Sequence, residues 1–141
     1  MLHSLTSLYH AHSNMDFNWH PIDQRVLIFA DRTQLNRLFT NLLQNAVEAS
    51  ASRDRRIIRM NEDLNGEYIT VSVTDNGEGI PEQTQSRIFT PNFTTKTSGT
   101  GLGLAMSKGI VEQAKGEIWF VTKEGVGTTF YVKLPLMRSA N

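Results

Sequence analysis

The sequence contains no cysteine. Disulfides, thiolate nucleophiles and cysteine-ligated zinc are therefore excluded. It also lacks an excess of either charge: fourteen basic and fourteen acidic side chains leave a formal net charge of zero. That argues against nucleic acid held in a general basic field and leaves open only a local basic site. No apolar run approaches the roughly 20 residues of a membrane span, and no secretory leader is visible. Internal repeats and low-complexity blocks are absent too. With 141 residues the chain is long enough for one core and too short for two, so a soluble, cytoplasmic single domain is expected.

What is present begins with a paradox in "VTDNGEGIP", residues 73–81. The preceding "GEYITVSVTD" alternates strictly, with Ile69, Val71 and Val73 on one side and Tyr68, Thr70, Ser72 and Thr74 on the other. A period of two predicts a half-buried strand whose Ile/Val side faces the core. Asp75 has the parity of the apolar set, so its carboxylate is aimed inward, where an unpartnered charge is costly. Either it caps the turn that follows, as Asp before Asn-Gly commonly does, or it awaits a ligand that donates hydrogen bonds.

Around this strand the pattern predicts helices on one face of a mixed, largely antiparallel sheet, an α+β architecture. "MDFNWH" and "QRVLIFA" read as two strands separated by Pro21. Asp31, with Gln34 three residues later, resembles a capping box that opens a helix. Strands are expected at about 56–61 and 67–75, joined by the turn "EDLNG". A short helix follows Pro81, then the polar stretch "TPNFTTKTSGT" and a second long helix in "GLGLAMSKGIVEQAK". "GEIWFVT" and "GTTFYVKLP" close the chain as strands around the turn "KEGVG".

On the first helix, Leu35, Leu38, Phe39, Leu42, Ala46 and Ala49 form the core stripe at 100° per residue. Asn41, Asn45 and Glu48 are spaced four and three apart and share a line about a quarter-turn from that stripe. Placed at the core margin, they offer the oxygen donors that magnesium prefers. A solvated polar face is the plain alternative. "SGTGLGL", residues 98–104, follows a polar loop and opens a helix, where close backbone approach and unpaired N–H groups suit a phosphate. It is neither a dinucleotide fingerprint, which directly follows a strand, nor a Walker sequence, which needs Lys after the last glycine where Leu104 stands. Lys96 is the one cation of the preceding loop and could supply a point charge to a terminal phosphate.

Taken in order, "NLLQNAVEA", "DNGEGIP", "RIFTPNFTTK", "GTGLGLAMSKGIVEQAKGEI" and "GVGTTFYVKLP" resemble the ATP-binding catalytic domain of bacterial sensor histidine kinases. That family shares its superfamily with gyrase, mismatch-repair ATPases and a heat-shock chaperone. The likeness runs from about Asp31 to Pro135. It implies a two-layer α/β sandwich, the Bergerat fold, with ATP held between the helices and a lid. It also implies that Asp75 accepts a hydrogen bond from the adenine amino group, with Gly77, Gly79 and Ile80 in the same box and Thr128 nearby. A carboxylate that only accepts would reject the guanine carbonyl. By the same resemblance Asn45 binds Mg2+ and Asn41 makes a second phosphate or metal contact. Gly99, Thr100, Gly101, Leu102, Gly103 and Leu104 cradle the phosphates, and Lys96 meets the last of them.

The resemblance also separates branches of the superfamily. ATPase branches carry a glutamate base four residues before the metal asparagine, and here that position is Asn41. An amide cannot take a proton from water, so transfer to an external nucleophile is the expected chemistry. Some relatives carry a basic residue where Glu48 stands; its absence shifts that phosphate contact toward Lys96. The acceptor histidine is missing, because none of His3, His10, His12 or His20 stands in an acceptor box. Residues 1–14 are expected to be a linker or the tail of a dimerising acceptor hairpin, 15–136 the ATP-binding domain, and 137–141 a tail. The implied role is the kinase domain of a two-component phosphorelay. It phosphorylates a histidine outside this chain, signals to a response regulator, contacts neither nucleic acid nor membrane, and cannot phosphorylate itself. The parent protein could be membrane-anchored. A free-standing superfamily ATPase and a catalytically inactive nucleotide-binding module are the alternatives.

Overall fold

A computed structural model describes residues 15–21, 31–91 and 103–136. The sequence features at 1–14, "QRVLIFA", Lys96, Gly99, Thr100, Gly101, Leu102 and 137–141 lie outside the described residues. Chain order is β1 (Met15–His20), α1 (Arg32–Ala49), β2 (Arg56–Asn65), β3 (Tyr68–Asp75), a one-turn α2 (Glu82–Gln85), α3 (Gly103–Gln113), β4 (Glu117–Lys123) and β5 (Gly127–Pro135). The strands make one sheet in the order β1-β2-β3-β5-β4. Among the described strands only β1 pairs in parallel, with Met15 opposite Arg56 and His20 opposite Asn61, and the other pairings are antiparallel. This is the α+β arrangement expected from the sequence.

Both layers follow from local patterning. Asp31 caps α1 through its Oδ1, which accepts from the N–H groups of Thr33 (2.7 Å) and Gln34 (3.3 Å), satisfying donors that the helix cannot. At the other end Ser50 is fully buried, and its hydroxyl donates to Ala46 O at 2.8 Å. The inner stripe of α1 is Leu35, Leu38, Phe39, Leu42, Leu43 and Ala46. Leu43 joins the expected stripe, and Ala49 is only half-buried. This stripe meets the inward rank of the sheet, which includes Ile58, Met60, Ile69, Val71, Val73, Phe130, Val132 and Leu134. The opposite face of the sheet carries Trp119 stacked on Tyr131, with centroids 5.3 Å apart, and Lys133 over the ring of Tyr68.

The hairpin between β2 and β3 corrects one expectation. β2 continues to Asn65, and the turn is Gly66–Glu67, with Asn65 opposite Tyr68. Glu62 and Asp63 look like turn residues, yet the inward parity of Ile58 and Met60 runs on through Glu62 and Leu64. The Glu62 carboxylate is accommodated there because Trp19 Nε1 donates to it at 2.7 Å. That partner is 43 positions away, so local composition could not reveal it.

The end of α3 shows how two demands compete for one glycine. Gly116 N–H donates to Val111 O (2.9 Å) and Lys115 N–H to Glu112 O (3.0 Å), the pair of bonds that defines a Schellman cap. The left-handed residue of such a cap is usually glycine, but here it is Lys115, at φ 64°. Glycine instead occupies 116, where an added Cβ would stand 2.2 Å from Lys133 O. Close approach to β5 takes the glycine, and the strain falls on the lysine. Lys115→Gly should therefore stabilise the domain by about 0.5–1 kcal/mol, most of the left-handed penalty less the extra chain entropy of glycine. Urea unfolding checks this; an unchanged or lower midpoint contradicts it.

Candidate functional site

Three neighbouring strands reach the same end of the sheet with a polar inward residue. β3 ends at Asp75, β5 begins its inward rank at Thr128, and β4 ends its rank at Thr122. Asp75 pairs with Thr128, and Thr128 with Thr122. One step deeper the corresponding residues are Val73, Phe130 and Phe120. Asp75 and Thr128 are each 5% exposed, so both point inward as their parity requires. Asp75 does help to close the turn, since its Oδ1 accepts from Gly77 N–H at 2.8 Å. The bond engages one oxygen of a group with several acceptor sites, so the turn role and a ligand role are compatible. Burial pushes the Asp75 carboxyl above the usual carboxylate range, while the backbone N–H groups of Gly77 and Thr128 hold it down.

The loop after Asp75 is fixed from several sides. Asn76 extends the strand with its side chain: Oδ1 accepts from Ile57 N–H (2.9 Å) and Nδ2 donates to Arg55 O (3.0 Å). A Cβ on Gly77 would fall 2.4 Å from Ala49 O, which ties the loop to the end of α1. Gly79 lies against the backbone of Lys123 and Glu124. Gly125 N–H donates to Glu78 O (2.7 Å), Ile80 N–H to Thr122 Oγ1 (2.9 Å), and Glu82 N–H to a Glu124 carboxylate oxygen (3.0 Å). Arg53 closes the seam, donating to the carbonyls of Asn76 (2.7 Å), Gly77 (2.9 Å) and Gly125 (2.8 Å). The box "DNGEGIP" and the β4–β5 turn thus form one unit.

The α1 line forms a second wall. Asn41, Asn45 and Glu48 are half-buried, at the core margin as their spacing requires. Asn41 Nδ2 donates to Gly103 O at 3.3 Å, which brings the amide line to the start of α3. Leu104 is half-buried and packs against the core. Asp75, Gly77, Gly79, Ile80, Thr128, Asn41, Asn45, Gly103 and Leu104 are therefore all placed around α1, the end of the sheet and the opening of α3. Sequence reasoning missed Arg53, Asn76 and Thr122. The first two act on backbone atoms, which no side-chain pattern reports. Thr122 was detectable, because it ends the inward series Ile118, Phe120 as Asp75 ends its own.

A raised folded pKa means that protonation favours the folded state. The contribution of Asp75 to stability is then full below its unfolded pKa and lost as pH rises through its folded one. Above that folded pKa the ligand-free domain bears the whole cost of the buried charge. Asp75→Asn keeps an acceptor for Gly77 N–H without that charge. It should raise the melting temperature at neutral pH, by a margin that shrinks as the pH falls into the usual carboxylate range. Thermal melts of both proteins across that interval test this; a lower melting temperature for the variant at neutral pH overturns it.

Comparison with known proteins agrees with the geometry. Residues 30–138 match a family described as histidine kinase-, DNA gyrase B-, and HSP90-like ATPase. The sensor histidine kinase ZraS of Escherichia coli (strain K12) is 42% identical over 109 residues, covering 77% of this chain and 23% of that protein. Sporulation kinase E of Bacillus subtilis (strain 168) is 34% identical over 128 residues, covering 91% of this chain and 17% of that protein. The chain thus spans about a quarter or less of these relatives. Among solved structures, the nucleotide-free catalytic domain of histidine kinase ThkA superposes with a TM-score of 0.81 at 34% identity, covering 95% of this chain and 87% of that one. The mycobacterial sensor histidine kinase MprB shares the fold at TM-score 0.82 and 23% identity. The chain belongs to the histidine kinase-, DNA gyrase B- and HSP90-like ATPase family, and within it to the ATP-binding catalytic domains of sensor histidine kinases.

Proposed function

We propose that this domain binds ATP with magnesium and transfers the γ-phosphoryl group to a histidine on a helical hairpin outside the described residues, for relay to a response regulator. The observation that carries the reading is the buried Asp75 beside Thr128, facing the same site as an α1 wall that presents Asn41 where hydrolytic relatives place a carboxylate base. Asp75 accepts from the adenine amino group, and the fixed loop from Asn76 to Ile80 holds the base edge in register. The Asn41 amide, half-buried and bonded to Gly103 O, positions phosphate and cannot activate water. Without that base the nucleotide is kept for an incoming imidazole, and catalysis rests on alignment and charge neutralisation.

The donor set fits magnesium bound mainly through phosphate oxygens. No cluster of three or more acidic or histidine side chains that could hold a metal occurs among the described residues. A single amide ligand, Asn45, together with phosphates and water suits an ion that dehydrates reluctantly. When bound, magnesium neutralises charge on the phosphates. Gly99, Thr100, Gly101, Leu102, Gly103 and Leu104 supply N–H groups to the phosphates, and Lys96 a point charge to the last one. No helix among the described residues is long and apolar enough to cross a membrane. A cytoplasmic location, with no direct contact to membrane or nucleic acid, belongs to the same proposal.

The test is transfer in trans. Labelled ATP, this chain and separately made acceptor hairpins from related kinases should yield a phosphohistidine on a hairpin and little free phosphate. Lys96→Ala should slow that transfer by about a hundredfold, the usual cost of losing one transition-state donor, while leaving ADP affinity nearly intact. Steady phosphate release that Asn45→Ala abolishes would identify a free-standing ATPase instead. Nucleotide binding with neither product would identify an inactive module.

A further inference from the structure

The hydrogen bonds of Arg53 do more than join two loops. Its Nε donates to Asn76 O at 2.7 Å, and the peptide that carries this carbonyl carries Gly77 N–H at its other end. That N–H donates to Asp75 Oδ1 at 2.8 Å. The peptide is trans, so its C=O and N–H point in opposite directions across one planar unit. Guanidinium and carboxylate thus hold the two ends of a single peptide dipole. A donor on a carbonyl polarises its peptide and strengthens the N–H on the far side, and a low-dielectric interior enhances the effect. Among the described residues no carboxylate pairs with Arg53, whose other bonds run to Gly77 O (2.9 Å) and Gly125 O (2.8 Å). The cation is therefore committed to backbone alone.

We propose that Arg53 is a positioning residue for purine recognition, acting through the Asn76–Gly77 peptide to hold the Asp75 carboxylate as an acceptor aimed at the base. Burial favours the neutral acid, and a neutral acid presents an O–H where the ionised one only accepts. That O–H suits the carbonyl of hypoxanthine or guanine and not the amino group of adenine. The Gly77 N–H opposes the neutral form, because hydrogen bonds to charged acceptors are the stronger ones. It also occupies one oxygen from the loop side, which leaves the other acceptor sites of the carboxylate for the ligand. Without Arg53 this donor weakens and the carboxyl loses both its fixed orientation and part of its support as an anion. The inference rests on the nucleotide-binding reading above and adds to it a residue outside the contacts assigned to the ligand.

The experiment is calorimetry of ADP and inosine diphosphate binding to the chain, to Arg53→Met and to Arg53→Gln. Methionine keeps only the stem. Glutamine places its Nε2 where arginine has Nε, so it can keep the bond to Asn76 O without the charge. The expected result for Arg53→Met is about fivefold weaker ADP binding, the worth of one hydrogen bond. Inosine diphosphate should be affected less, so that selectivity narrows, and Arg53→Gln should recover part of the loss. In an Asp75→Ala background, Arg53→Met should change selectivity no further. A merely structural clamp would weaken both nucleotides alike. An unaltered ADP-to-inosine-diphosphate ratio in Arg53→Met, or an undiminished effect on it when Asp75 is already Ala, would overturn the proposal. Should Arg53→Met fail to fold, nuclear magnetic resonance on the unmutated chain decides. ADP should shift the Gly77 amide and the Arg53 Nε–H together, and an Arg53 Nε–H indifferent to ADP would overturn the proposal. Failure of the unmutated chain to bind ADP would defeat the nucleotide-binding reading itself, a different outcome from normal binding with Arg53 irrelevant to selectivity.

Discussion

A carboxylate facing the core at the end of a central strand is the constraint on which the rest depends. Asp75 occupies the inward rank of β3 immediately beyond Ile69, Val71 and Val73, where a side chain of its charge has lost most of its water. Such a group persists only where backbone donors compensate part of the cost. Gly77 and Thr128 supply them, and both depend on glycine. Gly77 has no room for a Cβ beside Ala49 O, and a Cβ on Gly127 would stand 2.1 Å from Asp75 O. The boxes on either side of the sheet therefore meet at this acid.

Keeping the acid in place requires the two loops to act as one body. Arg53 reaches from beyond α1 to three carbonyls on both loops, a use that suits the several fixed donors of a guanidinium. In the proposed reading this makes a preorganised purine site whose ligand-free form bears the cost of a buried carboxylate. Buried charge kept for a ligand is a common source of such a deficit. The α1 line behaves differently. Its asparagines sit at the core margin, and Asn41 leans on the first residue of α3 through Gly103 O. In the same reading the proposed purine end is anchored in the sheet, whereas the proposed phosphate end is anchored at the opening of a helix.

Much of this was legible in the sequence, for definable reasons. The inward direction of Asp75 and Thr128 follows from parity alone, and the marginal position of Asn41, Asn45 and Glu48 from helical spacing. Parity would also have pointed Thr122 inward, but the sequence reading missed it, because a threonine at a strand end attracts no notice until its neighbours on two other strands are known. The β2–β3 turn was misplaced because the partner of Glu62 is Trp19 on a distant strand. The left-handed Lys115 was invisible because the glycine beside it answers to β5 and not to the helix end. Arg53 could not be found by pattern at all, since everything it binds is backbone.

The central claim is that the Asp75 carboxylate reads the amino group of adenine. The most direct measurement compares ADP with inosine diphosphate, which carries a carbonyl in place of that amino group, on the chain and on Asp75→Ala. The unmutated chain should favour ADP by about tenfold or more, the worth of a hydrogen bond to a charged group, and the preference should collapse toward unity in Asp75→Ala. Equal affinity of the unmutated chain for the two nucleotides would contradict the account.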